Sequence, residues 1–195
     1  FRFVIFTYLD CLSKESDEFI FKGGNLFWLY THTPRQTVDL DLVTRRINKT
    51  DQVKTLLERS CQHAEGVQFN IISIKEVSNE LALGAAVNIG YLTEDGAANK
   101  FDLDVVYILP TRTTTLPSPI SEADLHVATI ENIVADKISA CHQFGGGNTR
   151  MKDYDDLWRL ASENRALEWK IVASLLKART TSTELQPEWI NEEMK

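Results

Sequence analysis

Two short stretches of the chain alternate strictly between aspartate and apolar residues. Residues 38–42 read Val-Asp-Leu-Asp-Leu, and residues 101–105 read Phe-Asp-Leu-Asp-Val. Because successive side chains of a β-strand point to opposite faces, the apolar residues of each stretch share one face and its two aspartates share the other. The pattern therefore predicts two half-buried strands, each with a pair of carboxylates on its outer side.

The rest of the first half predicts further strands and helices. Strands are predicted over 18–22, 67–76, 84–92 and 100–109, and helices over 25–30 and 51–63. Asp51 is the predicted N-cap of the second of these helices. Residues 1–12 are almost continuously apolar, which suits either a buried helix or a strand, and periodicity does not decide between them.

The second half has a different character. Residues 110–121 are rich in Pro, Ser and Thr and predict a connection, after which apolar residues recur at helical spacing over 130–141, 154–161 and 169–176. Trp158, Trp169 and Trp189 belong either to the core of this helical half or to an interface, and the core is the expected use of aromatic residues in helical segments. The predicted fold class is α+β: residues 1–115 form a mixed β-sheet with flanking helices, and residues 116–195 form a helical region packed on it.

Composition limits the classes of partner. The 195 residues include 21 Lys and Arg and 28 Asp and Glu, a net charge of −7, which argues against indiscriminate binding to nucleic acid or anionic membranes. Three widely spaced cysteines build neither a disulfide framework nor a zinc site, so we expect a cytoplasmic protein. The sequence has no G-x-G-x-x-G fingerprint or P-loop, which disfavours a dinucleotide-binding fold or a P-loop NTPase.

The aspartate pairs are the first candidates for chemistry. Asp39 and Asp41 on one side of a strand can hold divalent cations, since Mg²⁺ prefers oxygen ligands and binds through one or two carboxylates plus substrate phosphates. A third carboxylate from Asp102 or Asp104 would complete a two-metal site. The alternative is that both pairs merely line the solvated side of a sheet.

The second candidate is the Gly23-Gly24 pair ahead of a short helix. Glycines let the backbone approach phosphate oxygens, and a helix N-terminus offers free N–H groups. On its own the pair is better explained by a plain strand-to-helix turn. Its order in the chain, with a strand before it and Asp39-Leu40-Asp41 after the helix, predicts a phosphate site next to a metal site.

Five further residues are candidates, and four of them have both a functional and a purely structural interpretation. Lys137 lies at the edge of an apolar helix face, where it binds phosphate or simply extends to solvent. Asp153 and Asp156, three apart in the first turn of a helix, contribute to a site or only complement the helix dipole. Arg35 and Thr37 precede the aspartate strand in a loop, where Arg35 can reach a triphosphate or pair with a surface acid.

Four motifs occur in a fixed order. They are Phe21-Lys22-Gly23-Gly24-Asn25-Leu26, Arg35-x-Thr37-x-Asp39-Leu40-Asp41-Leu42, Ile130-Glu131-x-Ile133-x-Ala135-Asp136-Lys137-Ile138-x-Ala140 and Lys152-Asp153-x-x-Asp156-Leu157. Together they resemble the AbiEii/AbiGii toxin family of nucleotidyltransferases, a branch of the DNA polymerase β-like nucleotidyltransferase superfamily. The resemblance runs from about residue 5 to about residue 185.

The resemblance implies Mg²⁺-dependent transfer of a nucleoside monophosphate from an NTP to an acceptor, with two metal ions and Mn²⁺ as an alternative metal. It implies metal binding by Asp39, Asp41 and Asp104, with Asp102 as the alternative third ligand. The implied catalytic residues are Asp39, Asp41, Asp104, Lys137 and Asp153. The implied nucleotide-binding residues are Lys22, Gly23, Gly24, Asn25, Arg35, Thr37, Lys137 and Asp156.

The resemblance also implies partners. RNA, and tRNA in particular, is the expected acceptor, and a cognate antitoxin is expected in a bacterial toxin–antitoxin or abortive phage infection system; no membrane or sequence-specific DNA partner is expected. Proteins or small molecules are the alternative acceptors. An RNA acceptor needs a local basic surface, for which the candidates are Arg45, Arg46, Lys49, Arg150 and Lys152.

The chain departs from the family pattern at one position. The family usually has Thr or Ser after the two glycines, where this chain has Asn25. The Asn25 amide can donate to a phosphate oxygen but lacks the compact hydroxyl. The alternative hypothesis is therefore a nucleotide-binding regulatory protein of the same fold with impaired catalysis.

Overall fold

The computed structural model describes residues 1–34, 36–78, 83–144, 151–163 and 165–179. The chain divides into two compact units, Phe1–Ala128 and Thr129–Lys195. Arg35, Arg150 and Trp189 lie outside the described residues. No helix in the described ranges has the length and hydropathy needed to cross a membrane.

The first unit is built on a seven-stranded mixed sheet. The strands are β1 (Phe19–Lys22), β2 (Asp39–Thr44), β3 (Val67–Ser78), β4 (Leu83–Thr93), β5 (Ala98–Tyr107), β6 (Thr113–Pro117) and β7 (Asp124–Ala128). Their spatial order is β3-β4-β5-β2-β1-β7-β6, so β2 is the central strand. It pairs antiparallel with β1 and parallel with β5. The predicted mixed sheet is confirmed.

Among the described residues of this unit, three α-helices accompany the sheet: α1 (Arg2–Glu15), α2 (Gly23–Thr31) and α3 (Thr50–Ser60), the last followed by a short 3-10 helix (Cys61–His63). The apolar N-terminal stretch is the helix α1, in which every residue from Val4 to Leu12 is buried. A helix that is buried on all sides has no polar face, which is why periodicity did not distinguish it from a strand.

Two local predictions were wrong. Helix α3 begins at Thr50 with Lys49 at the N-cap position, so Asp51 lies within the first turn, where its charge complements the helix dipole. Val38 lies ahead of β2 and is 60% exposed, whereas Leu40 and Leu42 are fully buried. The apolar face of β2 is therefore formed by the leucines without Val38.

The sheet extends further along the chain than the sequence pattern indicates. The segment from Pro110 to Ser121 includes β6, and β7 follows it before the first unit ends at Ala128. Residue 115, the expected end of the sheet region, falls inside β6. The residues of β6 are mostly exposed, because it is an edge strand, so it lacks the apolar alternation by which strands are recognised.

The second unit contains three described helices: α4 (Ile130–Phe144), α5 (Met151–Ser162) and α6 (Trp169–Arg179). Helix α4 packs against both of the others. The expectation that Trp158 and Trp169 lie in the core was wrong, because they are 66% and 63% exposed. Helix α5 instead buries Asp153, Asp156 and Leu160.

One buried carboxylate links the start of β1 to the segment that follows β2. Glu18, just before β1, accepts hydrogen bonds from the backbone N–H groups of Arg46 and Ile47 and from the Arg46 guanidinium. Burial alone raises the pKa of the Glu18 carboxyl, but these hydrogen bonds outweigh burial and hold its pKa below the usual range. Asp17 pairs with Arg45 and Arg46 at 3.4 and 3.3 Å. These arginines are therefore engaged with acidic neighbours.

We predict that Glu18→Gln destabilises the protein in a pH-dependent way. The folded pKa of Glu18 lies below its unfolded pKa, so the carboxylate stabilises the fold above the unfolded value of about 4.3, and this contribution is lost as the pH falls through the folded value. Urea unfolding should give a loss of about 1.5–3 kcal/mol at pH 7, the usual value of hydrogen bonds to a charged group. A difference between variant and wild type that stays constant down to pH 3 would contradict a role for the charge.

Candidate active site

The central strand pair places four aspartates side by side. In the parallel β2–β5 register Asp39 is opposite Asp102, and Asp41 is opposite Asp104. The residues that alternate with them are buried: Leu40, Leu42, Phe101, Leu103 and Val105. Because residues opposite each other in a sheet point to the same side, the four carboxylates share the outer face.

The crowding of like charges is visible at Asp104. Partial burial raises the pKa of its carboxyl, and the neighbouring carboxylates of Asp39 and Asp102 raise it further. The ammonium of Lys22 acts in the opposite direction, but the net pKa is above the usual value. This face therefore has an excess of negative charge that a bound cation would stabilise.

Asp102 and Asp104 differ in their neighbours on β4. Asp102 is opposite Asn88, whose side-chain amide donates a hydrogen bond to an Asp102 oxygen. Asp104 is opposite Ala86, which has no polar side chain. Sequence reasoning missed Asn88, although a single polar residue between Val87 and Ile89 in a predicted strand is the signal that could have identified it.

A glycine turn lies against the Asp41 carboxylate. Strand β1 ends at Lys22, which is opposite Asp41, and α2 begins at Gly23. Gly23 has a φ of +78°, a conformation that favours glycine. A Cβ atom at Gly23 would lie 1.8 Å from Oδ2 of Asp41. The turn and the aspartate strand are therefore in direct contact, and only glycine leaves room for that contact.

Other predicted residues of the first unit surround this turn. Gly24 and Asn25 lie in the first turn of α2, and the Asn25 side chain donates a hydrogen bond of 2.7 Å to the main-chain oxygen of Asp39. Thr37 is half-buried in the segment before β2. The predicted role of Arg35 falls outside the described residues.

The second unit contains a separate cluster of predicted residues. The Lys137 ammonium on α4 is 3.2 Å from Asp153 Oδ1 and also donates to Asp156 Oδ2, both on α5. Lys137, Asp153 and Asp156 are 8%, 5% and 0% exposed. The sequence patterns put Lys137 at a helix edge and, separately, Asp153 and Asp156 at a helix start, whereas the structure brings the three side chains together as a buried ion cluster.

The aspartates on the outer face of β2 and β5 suit a cation that takes its remaining ligands from a bound substrate. Within the described ranges, no three or more His, Cys, Asp or Glu side chains form a closed metal site. The aspartates are instead distributed along two neighbouring strands, where one or two of them can bind an ion whose other ligands are phosphate oxygens and water. The raised pKa of Asp104 indicates the negative charge that such an ion would offset.

We predict that Gly23→Ala is far more damaging than the same change at Gly96. Both glycines have positive φ, and the backbone penalty for alanine there is about 1–2 kcal/mol. Gly96 has no atom within 4 Å of a new Cβ, whereas at Gly23 the methyl group would displace the Asp41 carboxylate. Urea unfolding should therefore show a larger loss for Gly23→Ala. Equal losses for the two variants would contradict the close contact with Asp41.

We also predict that Lys137→Met destabilises the protein by about 3–5 kcal/mol, because it leaves two buried carboxylates without their counter-ion. The triple variant Lys137→Met, Asp153→Asn, Asp156→Asn removes the charges together and should recover much of the loss. Lys152→Met, at an exposed position of α5, is the control and should stay within about 0.5 kcal/mol of wild type. A Lys137→Met variant as stable as this control would contradict the ion cluster.

Comparison with solved structures places the fold among nucleotidyltransferase-like proteins. JHP933 from Helicobacter pylori is similar with a TM-score of 0.58 and 18% identity, over 89% of this chain and 70% of that one. An antigenic nucleotidyltransferase-like protein from Paracoccidioides brasiliensis has a TM-score of 0.57 and 19% identity, over 90% and 88% of the two chains. No curated protein matches the chain.

Comparison with protein families gives a match over nearly the whole chain. The family described as nucleotidyl transferase AbiEii toxin, type IV TA system, matches residues 7–194. The motifs that suggested the resemblance all lie within these residues. The chain therefore belongs to the AbiEii family of nucleotidyltransferase toxins.

Proposed function

We propose that this nucleotidyltransferase moves a nucleoside monophosphate from an NTP to an acceptor hydroxyl with Mg²⁺, as the toxin of a bacterial toxin–antitoxin or abortive phage infection pair. The observation that carries the proposal is the contact between the Gly23 turn and Asp41, next to the four-carboxylate face of β2 and β5. This arrangement supports the proposal, because a helix N-terminus of the kind that binds phosphate lies beside carboxylates of the kind that bind Mg²⁺.

Three of the four aspartates on this face would be metal ligands. Asp39, Asp41 and Asp104 would hold the metal, which when bound neutralises phosphate charge and favours ionisation of the acceptor hydroxyl. The acceptor oxygen forms a bond to the α-phosphorus of the NTP. The bond between this phosphorus and the oxygen that bridges it to the β-phosphorus breaks, and pyrophosphate leaves with that oxygen. The hydroxyl proton passes to Asp104 or to water. Asp104 is favoured over Asp102 as third ligand because Asn88 already binds an oxygen of Asp102.

The nucleotide would bind along the turn between β1 and α2. The backbone N–H groups of Gly23 and Gly24 at the N-terminus of α2 are suited to phosphate oxygens, and the Lys22 ammonium adds positive charge. Thr37, and Arg35 from outside the described residues, precede the aspartate strand and would complete the triphosphate site.

The resemblance assigns a phosphate contact to Lys137 and Asp156 and a catalytic role to Asp153. In the structure the Lys137 ammonium donates to both carboxylates. We infer that the two aspartates hold the lysine in one orientation.

The preferred acceptor is RNA, tRNA in particular, because the chain belongs to the AbiEii family. Two of the proposed basic residues, Arg45 and Arg46, are paired with Asp17, while Lys49 and Lys152 are exposed. With two bound Mg²⁺ the formal charge becomes −7 + 4 = −3, so an RNA acceptor depends on local positive charge. Proteins and small molecules are the alternative acceptors.

We predict that the protein, incubated with Mg²⁺, total cell RNA and each α-³²P-labelled NTP in turn, labels a band of tRNA size. Asp39→Asn and Asp41→Asn should abolish the label while leaving the circular dichroism spectrum unchanged, because each removes a proposed metal ligand from a partly exposed position. Asp104→Asn should have a larger effect on labelling than Asp102→Asn.

Asp51→Asn, at an exposed position of α3, is the matched control and should label RNA like the wild type. Labelling that survives both Asp39→Asn and Asp41→Asn would contradict the metal site. NTP binding without transfer to RNA, protein or small-molecule acceptors would favour the alternative of a catalytically impaired binding protein.

A further inference from the structure

The Asn25 side chain occupies a gap in the hydrogen bonding of the central strand. In the β1–β2 ladder Lys22 is opposite Asp41, so a longer β1 would place residue 24 opposite Asp39. The chain has by then turned into α2. Strand β1 therefore offers no backbone donor to Asp39, and the amide of Asn25 donates to its main-chain oxygen at 2.7 Å instead.

The nitrogen and the oxygen of the Asn25 side-chain amide differ in their hydrogen bonding. The residue is 2% exposed. Its nitrogen is bonded to Asp39, whereas its Oδ1 is buried and has no hydrogen-bond partner among the residues that the structure describes. A buried polar atom without a partner destabilises the folded protein. The Oδ1 atom therefore gives no reason for asparagine at this position, whereas the hydrogen bond donated by the side-chain nitrogen does. A Ser or Thr hydroxyl is attached directly to Cβ and reaches less far.

The same turn thus contacts both aspartates of β2. Gly23 lies against the Asp41 carboxylate, and Asn25 holds the main chain of Asp39. We propose, as an inference that rests on the proposed function, that Asn25 is a positioning residue that fixes Asp39 relative to Asp41 and the phosphate-binding turn. On this view Asn25 preserves activity in place of the usual Ser or Thr, and it acts through Asp39 rather than on the nucleotide.

The test compares Asn25→Leu, which keeps the side-chain shape without the donor, with Asn25→Ser, which keeps a shorter donor. Asn99→Leu, at an exposed position of β5, is the matched control. The first measurement is hydrogen–deuterium exchange of the metal-free and nucleotide-free protein. Residues 36–41 should exchange about fivefold faster in Asn25→Leu, the factor expected for one net hydrogen bond. Exchange of residues 130–144 should stay unchanged.

The second measurement is steady-state transfer kinetics at saturating Mg²⁺. Misplacement of Asp39 should lower kcat by about a hundredfold, while the KM for NTP stays within about twofold of wild type. Asn25→Ser should lie between Asn25→Leu and wild type in both measurements. Asn99→Leu should match the wild type in both.

The outcomes separate this inference from the proposed function. A raised KM with unchanged kcat and unchanged exchange would make Asn25 a nucleotide contact and overturn the positioning role. Unchanged exchange and unchanged kinetics would overturn it as well. If the wild type transfers no nucleotide, the proposed function fails, and faster exchange of residues 36–41 in Asn25→Leu would still establish the bond to Asp39 on which the inference depends.

Discussion

The parallel pairing of β2 with β5 is the interaction on which the rest of the site depends. The two strands are separated by more than fifty residues of chain, yet their register places Asp39 opposite Asp102 and Asp41 opposite Asp104. A shift of either strand by one residue would turn its two carboxylates into the core. The buried leucines of β2 and the apolar residues of β5 prevent that shift, so the hydrophobic face fixes the position of the charged face.

Three neighbouring residues contact the aspartates of this strand pair. Gly23 leaves room for the Asp41 carboxylate, Asn25 binds the Asp39 main chain, and Asn88 binds Asp102. These contacts orient three of the four aspartates without neutralising them. Lys22 is the cation that acts on Asp104, and it does not bring the pKa of that carboxyl back to its usual value.

The sequence predicted those parts of the structure that depend on local pattern. Alternation identified β2 and β5, and the family motifs marked Gly23 and the aspartates. Strand β6 was missed because an exposed edge strand has no such alternation. The bond from Asn25 to Asp39 and the partner of Asp102 depend on which strands and turns become neighbours, and that is a property of the tertiary fold. Helix α5 was predicted with its aromatic side inward because charged residues are usually exposed.

Helix α5 shows why its aspartates differ chemically from those of the strands. Asp153 and Asp156 can be buried because Lys137 from α4 donates to both, so this cluster contains its own counter-ion. The strand carboxylates are four acidic groups that share one face, and the Lys22 ammonium acts on Asp104 among them without bringing its pKa back to the usual value. A divalent cation would gain more from the second arrangement, where its charge would offset that of the carboxylates and where it could keep water and phosphate ligands. The strand face is therefore better suited to a cation than the helical cluster is, and the helical cluster is better suited to holding Lys137 in place.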